Sequence, residues 1–147
     1  MSTQPTAHPA RSPLSDLRAA GPHHATTVAA AMRIAHRQAE LLRSILEIRG
    51  KDLALESITG ALGVTVSAIN ELPVPGTAFW GNGHWNIHVR QQDPLETQRF
   101  SALHELKHII DHLGRRVATA DGDRLSDEDE ELVADHFAAC VLTGEAA

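Results

Sequence analysis

No tyrosine occurs in this chain, which holds a single cysteine, two tryptophans and three phenylalanines. One thiol cannot build an internal disulfide framework, so the fold must rest on packing, and the cytoplasm is the expected compartment. Without a phenol the chain also lacks one donor that some hydrolytic sites aim at an oxyanion. Positive charge is scarce too: 13 Lys and Arg stand against 19 Asp and Glu, a net charge of -6. That balance gives no electrostatic footprint for nucleic acid, and a protein or peptide partner is expected instead. No apolar run is long enough for a secretory h-region or a membrane span, so no membrane partner is expected.

What is present fits one ordinary domain behind a short arm. Residues 1–25 carry four of the seven prolines, with Ser, Thr and His but little apolar periodicity. They read as a disordered or loosely attached arm, with His8, His23 and His24 as solvated residues, and 26–147 read as a single domain. From Thr27 to Arg49 a helix is expected, striped by Val28, Ala31, Ala35, Ala39, Leu42, Ile45 and Leu46 and stopped by Gly50. His36 is read on it as a packing residue. Asp52 is expected to cap a shorter helix ending near Leu62.

Residues 56–70 raise a rival reading, a helix-turn-helix with a glycine at its turn. Its second segment contains no Lys or Arg to meet phosphates, so helix, turn and short strand is the preferred reading. Leu72 to Gly76 reads as a turn or extended linker. Residues 77–90 then form a hairpin around Asn82-Gly83, the strongest two-residue hairpin signal. Period-two alternation puts Trp85, Ile87 and Val89 on one face. His84, Asn86 and His88 fall on the other, which is read as facing solvent.

The stretch from Gln92 to Gly114 organises the rest. Asp93 can N-cap, Pro94 suits the first helical position and Glu96 suits a capping box. Leu95, Leu103, Leu106, Ile110 and Leu113 make an apolar stripe, and Gly114 is the expected stop. Inside it stands His104-Glu105-Leu106-Lys107-His108. Two imidazoles four residues apart on one helix face can reach the same tetrahedral zinc. Glu105, one residue off that face, flanks the metal and can shuttle a proton for a metal-activated water.

A third protein ligand is then needed. The acidic run Ser126 to Glu131 leads into an apolar-striped helix through Leu142, and most of its acids are explained by the positive helix end. Glu131 and Asp135, four apart, share a face. A glutamate ligand followed by an aspartate that bonds the outer nitrogen of a ligating histidine is a known supporting arrangement. Glu131 is therefore the chosen metal ligand and Asp135 the orienting residue, with Glu128 and Glu130 as the alternatives for the ligand. Cys140, inside the apolar run 137–142, reads as a buried inert thiol.

Arg99-Phe100-Ser101 before His104 to His108, together with Glu131-Leu132-Val133-Ala134-Asp135-His136-Phe137-Ala138-Ala139, resembles the two signature helices of the ImmA/IrrE family of zinc metallopeptidases. The glutamate-then-aspartate spacing is also similar to thermolysin-like enzymes. Leu62 to Val66, Leu72-Pro73 and the hairpin fit the same layout, so the resemblance spans about residues 27–144. It implies an α+β, mainly helical metallopeptidase domain with a small antiparallel sheet or hairpin before the metal-binding helix. It also implies Zn2+ on His104, His108 and Glu131, Glu105 as the catalytic residue, and cleavage of a regulatory protein such as a repressor or antitoxin. Lys107 stands where that family usually has glycine, four residues before Asp111 and within pairing reach of it. His84, His88, His112 and His136 are the side chains that can replace the missing phenol; His112 reads first as a helix-end residue. The competing functions are a non-catalytic protein-binding regulator that keeps the fold, and the helix-turn-helix DNA binder.

Overall fold

The computed structural model describes residues 12–21, 26–50, 52–117 and 125–144. His8, His23 and His24 lie outside them. The elements in order are α1 (Pro13–Arg18), α2 (Val28–Leu46), α3 (Leu55–Leu62), β1 (Thr65–Ile69), β2 (Gly76–Gly81), β3 (His84–Arg90), α4 (Leu95–Val117) and α5 (Asp127–Thr143). This is an α+β, mainly helical fold.

Residues 12–21 differ from the loose arm expected of them. Ser12 caps α1 by accepting from the Ser15 amide at 3.1 Å. Leu17 is fully buried, and Arg18 donates to the Ile109 and Ile110 carbonyls of α4 at 2.8 and 3.1 Å. Leu17, the partly buried Leu14 and one guanidinium dock these six residues, too few apolar positions to show a period.

Helix α2 begins as expected, with Thr27 Oγ1 accepting from the Ala30 amide, but it ends before Gly50. Glu47 takes the left-handed conformation at φ 53°, and the amides of Glu47 and Ile48 close back onto Ser44 and Arg43. Arg43 then ties down this turn through the Gly50 carbonyl at 2.9 Å. Helix α3 starts at Leu55 with no side-chain cap among the described residues, so Asp52 does not serve as expected, and Gly63 at φ 72° ends it.

After Gly63 the chain is a strand, not a recognition helix, which removes the structural basis of the DNA-binding reading. β1 pairs in parallel with β3 and β2 pairs antiparallel with β3, giving the order β1-β3-β2. The sheet is therefore mixed, wider than the hairpin alone. Asn82 and Gly83, at φ 56° and 82°, supply the two left-handed residues that a twisted two-residue turn needs. Ile87 and Val89 point into the core.

Two helices complete that core. α4 buries Ala102, Leu103, Leu106, Ile109 and Ile110. It runs through Gly114 to Val117, because an isolated glycine costs a helix about 1 kcal/mol and does not by itself end it. Leu95, expected in the stripe, is exposed. The first intrahelical bond is accepted by the Pro94 carbonyl, and the Asp93 carboxylate lies 3.8 Å from Arg90. α5 starts where expected, with Ser126 Oγ accepting from the Asp129 amide at 3.1 Å, and buries Val133, Phe137 and Val141. Among the described residues no helix is long and apolar enough to cross a membrane.

Candidate metal centre

The site forms where α4 and α5 pack. Burial of Leu103, Leu106 and Ile110 on one side of α4, and of Val133, Ala134 and Phe137 on α5, fixes the rotation of each helix about its axis. With that rotation set, His104 and His108 project together from α4, their Nε2 atoms 3.3 Å apart. Glu131 arrives from α5 and spans both rings. One carboxylate oxygen is 2.8 Å from His104 Nε2 and the other is 2.9 Å from His108 Nε2.

Asp135 sits one turn further along α5, with Oδ1 2.7 Å from His104 Nδ1. An imidazole that gives its Nδ1 proton to this carboxylate has its Nε2 lone pair available to a metal. The donor set also fits one. Ligands at about 2.0 to 2.1 Å in a tetrahedron stand about 3.3 to 3.4 Å apart; the two Nε2 atoms have that separation, while the Glu131 oxygens, at 2.8 and 2.9 Å from them, sit at hydrogen-bond distance. His104, His108 and Glu131 are the cluster among the described residues whose ligand atoms all lie within 4.8 Å of one another, so they can hold a metal ion. Glu128 and Glu130, the alternative ligands, remain in the first turn of α5 outside this cluster.

Glu105 flanks the cluster. Burial raises its pKa above the ordinary carboxylate value, the His104 charge opposes that rise and the Glu131 charge adds to it. A carboxyl group so placed holds a proton more readily than a solvated one, as acid/base work near neutrality requires. The sequence did not reveal what lies against it. The start of β2 approaches so closely that a Cβ on Gly76 would stand 3.2 Å from Glu105 Cγ and 3.4 Å from Ser101 Cβ. A glycine inside a strand is the available signal of such an approach.

Among the described residues β2 is an edge strand of the sheet, and its start lies beside Glu105. Arg90 N–H donates to the Pro75 carbonyl at 3.1 Å, and hydrogen-bonded pairs alternate along an antiparallel ladder. Gly76, Ala78 and Trp80 therefore turn their backbone groups away from β3. Trp80 and Phe79 on the same strand are exposed.

Behind the site, Lys107 is 3 % exposed, and its ammonium group donates to Asp111 Oδ1 and to Gln38 Oε1, both at 2.7 Å. Gln38 in turn donates to the Leu17 carbonyl. The spacing of four predicts the Asp111 pair; nothing in the sequence points to the glutamine. The four histidines considered as oxyanion donors each have another neighbour. His84 Nδ1 lies 3.1 Å from the Asn82 carbonyl, and His88 packs edge-on to Phe79. His112 packs on Trp85 within the helix, not at its end, and His136 Nε2 lies 3.5 Å from Cys140 Sγ. Cys140 is buried, and that burial raises its pKa, as an unreactive thiol should show.

Comparison with curated proteins and with solved structures returned no match. A family model, the IrrE N-terminal-like domain, matches residues 60–147, a span that includes the whole sheet and both helices of the site. The chain belongs to the IrrE N-terminal-like domain family.

Proposed function

We propose that this protein is a zinc-dependent endopeptidase that cleaves a regulatory protein, of the repressor or antitoxin kind, in the cytoplasm. The observation that carries the reading is the single carboxylate of Glu131 spanning the imidazoles of His104 and His108, with Glu105 beside them. His104, His108 and Glu131 would hold the ion, and two nitrogens with one carboxylate is a donor set that zinc takes in hydrolases. Bound there, zinc would acidify water and polarise the scissile carbonyl.

The protein's own groups do the remaining work. Glu105 accepts the proton of the attacking water and returns it to the leaving amine. Asp135 keeps His104 in the tautomer whose Nε2 faces the cluster. An extended segment of the substrate pairs with the open backbone groups of Gly76, Ala78 and Trp80, which brings a peptide bond past Glu105. The net charge of -6 favours a partner with basic character.

The test is the full chain, purified without added zinc, incubated with the regulator encoded beside its own gene. Near one equivalent of zinc, retained in Glu105→Gln while cleavage is lost, is the expected result. A chain that binds no zinc at this cluster overturns the reading. Regulation of the partner that survives Glu105→Gln makes the protein a non-catalytic binder instead.

A further inference from the structure

The large apolar side chains that the fold leaves in solvent gather beside the metal centre. Of the five exposed among the described residues, Val74, Phe79 and Trp80 lie on β2 or just before it, and Trp80 is the most exposed at 61 %. Such a concentration on one edge marks a contact surface. The Trp80 ring is nevertheless held. It stands edge-on to Trp85, its partner on β3, with ring centroids 5.6 Å apart, and Trp85 stands edge-on to His112 at 5.0 Å. His112 is one turn beyond His108 on α4, so the three rings form a row from the metal-binding helix out to the sheet edge.

The register of β2 says what can lie against this row. Gly76, Ala78 and Trp80 turn their backbone groups away from β3, and among the described residues no strand pairs with them. Their side-chain positions share the face toward α4, since Gly76 meets Glu105 and Trp80 meets Trp85. An extended chain laid along β2 therefore passes a glycine and an alanine, which add little bulk, and then an indole. At about 3.3 Å per residue, Trp80 stands about 13 Å from Gly76, or four residues along. A second copy of this chain would bring a charge of -6 against -6, which opposes self-pairing, while a segment carrying Lys or Arg is attracted.

We propose that Trp80, seated on Trp85, is a specificity-determining residue that takes a large apolar side chain of a basic, extended substrate segment, about four residues to one side of the peptide bond facing Glu105. The offset rests on the reading of the metal centre as a peptidase; the docking of the segment does not. The backbone groups of β2 supply pairing that is blind to sequence, and the indole supplies the selection. Because Trp85 already orders the ring, little side-chain freedom is lost when a ligand covers it.

Trp80 and Trp85 are the only tryptophans and tyrosine is absent, so indole fluorescence reports on this pair alone. The full chain carrying Glu105→Gln, which leaves bound peptides intact, is titrated with blocked synthetic peptides of Lys, Ser and Thr that contain one Leu or none. The Leu peptide should shift the emission to the blue and bind about tenfold more tightly than the Leu-free one, as burial of one such side chain gives. Trp80→Ala should cut that preference below twofold and Trp80→Phe should keep most of it, with unchanged melting by circular dichroism. The zinc-loaded native chain should cut the Leu peptide at a fixed offset of about four residues from Leu, mapped by mass spectrometry, and Trp80→Ala should lose the offset. Binding with the Leu preference but no cutting overturns the peptidase reading and leaves the docking site standing. No binding of the Leu peptide, or a preference or offset indifferent to Trp80→Ala, overturns the proposal. So does a blue shift that follows protein concentration alone with a dimer in sedimentation, which would make β2 a contact between copies.

Discussion

Removing Asp111 should harm the protein more than removing the lysine it pairs with. Lys107 is almost wholly buried, and its ammonium group has two partners, Asp111 and Gln38. Asp111→Ala leaves a charge inside the protein with only a neutral amide to solvate it, and breaking one side of a buried pair costs about 3 to 5 kcal/mol. The Asp111 side chain is 40 % exposed, so water reaches the gap and the lower end, about 3 kcal/mol, is expected. Lys107→Met removes the charge as well. The methionine keeps most of the aliphatic packing, and the main loss is the unsatisfied Gln38 oxygen, about 1 to 2 kcal/mol. The double variant should lie within about 1 kcal/mol of Lys107→Met, the remainder reflecting Arg18, which also sits in the field of Asp111. Urea denaturation followed by circular dichroism measures all three. At roughly 3 °C per kcal/mol for a chain of this size, Asp111→Ala should melt about 9 °C lower than the native chain. Equal losses for the two single variants, adding in the double, would refute the reasoning.

Two further outcomes concern the frame and the site. Leu17→Ala should cost about 3 kcal/mol, because a fully buried leucine leaves a cavity, and a loss under about 0.5 kcal/mol in the same urea measurement would mean that α1 is not docked. Asp135→Asn keeps the shape but no longer offers a carboxylate to His104 Nδ1, so zinc affinity, measured by competition with a chelating dye, should fall roughly 10- to 100-fold. An unchanged affinity would show that Asp135 does not orient the ring.

What could be read from the sequence was whatever a helix decides locally. His104 and His108, or Glu131 and Asp135, share a face at a spacing of four whatever the rest of the chain does, and burial of the leucines and valines beside them chose which face. The Asn82-Gly83 hairpin and the Ser126 cap are equally local. The misses are all settled at a distance or by competition. β1 joins β3 in parallel through residues about twenty apart, and nothing in Thr65 to Ile69 states its direction. Gly50 and Gly114 were expected to end helices; one lies beyond a turn that Glu47 and Arg43 had already closed, and the other is simply tolerated. Gln38 reaches Lys107 across 69 residues, and Gly76 meets Glu105 across a strand-helix contact, pairings without a sequence period.

The acids at the start of α5 show how location separates two roles for one residue type. Asp127, Glu128, Asp129 and Glu130 occupy the first turn, where the unpaired amides and the positive end of the helix stabilise negative charge whether or not a metal binds. That effect fades within a turn. Glu131 and Asp135 lie past its reach, yet these are the two that turn toward the imidazoles of α4. Helix capping therefore does not account for their position: they hold a carboxylate within 3 Å of each His104 nitrogen, and with His108 the cluster can hold a metal ion.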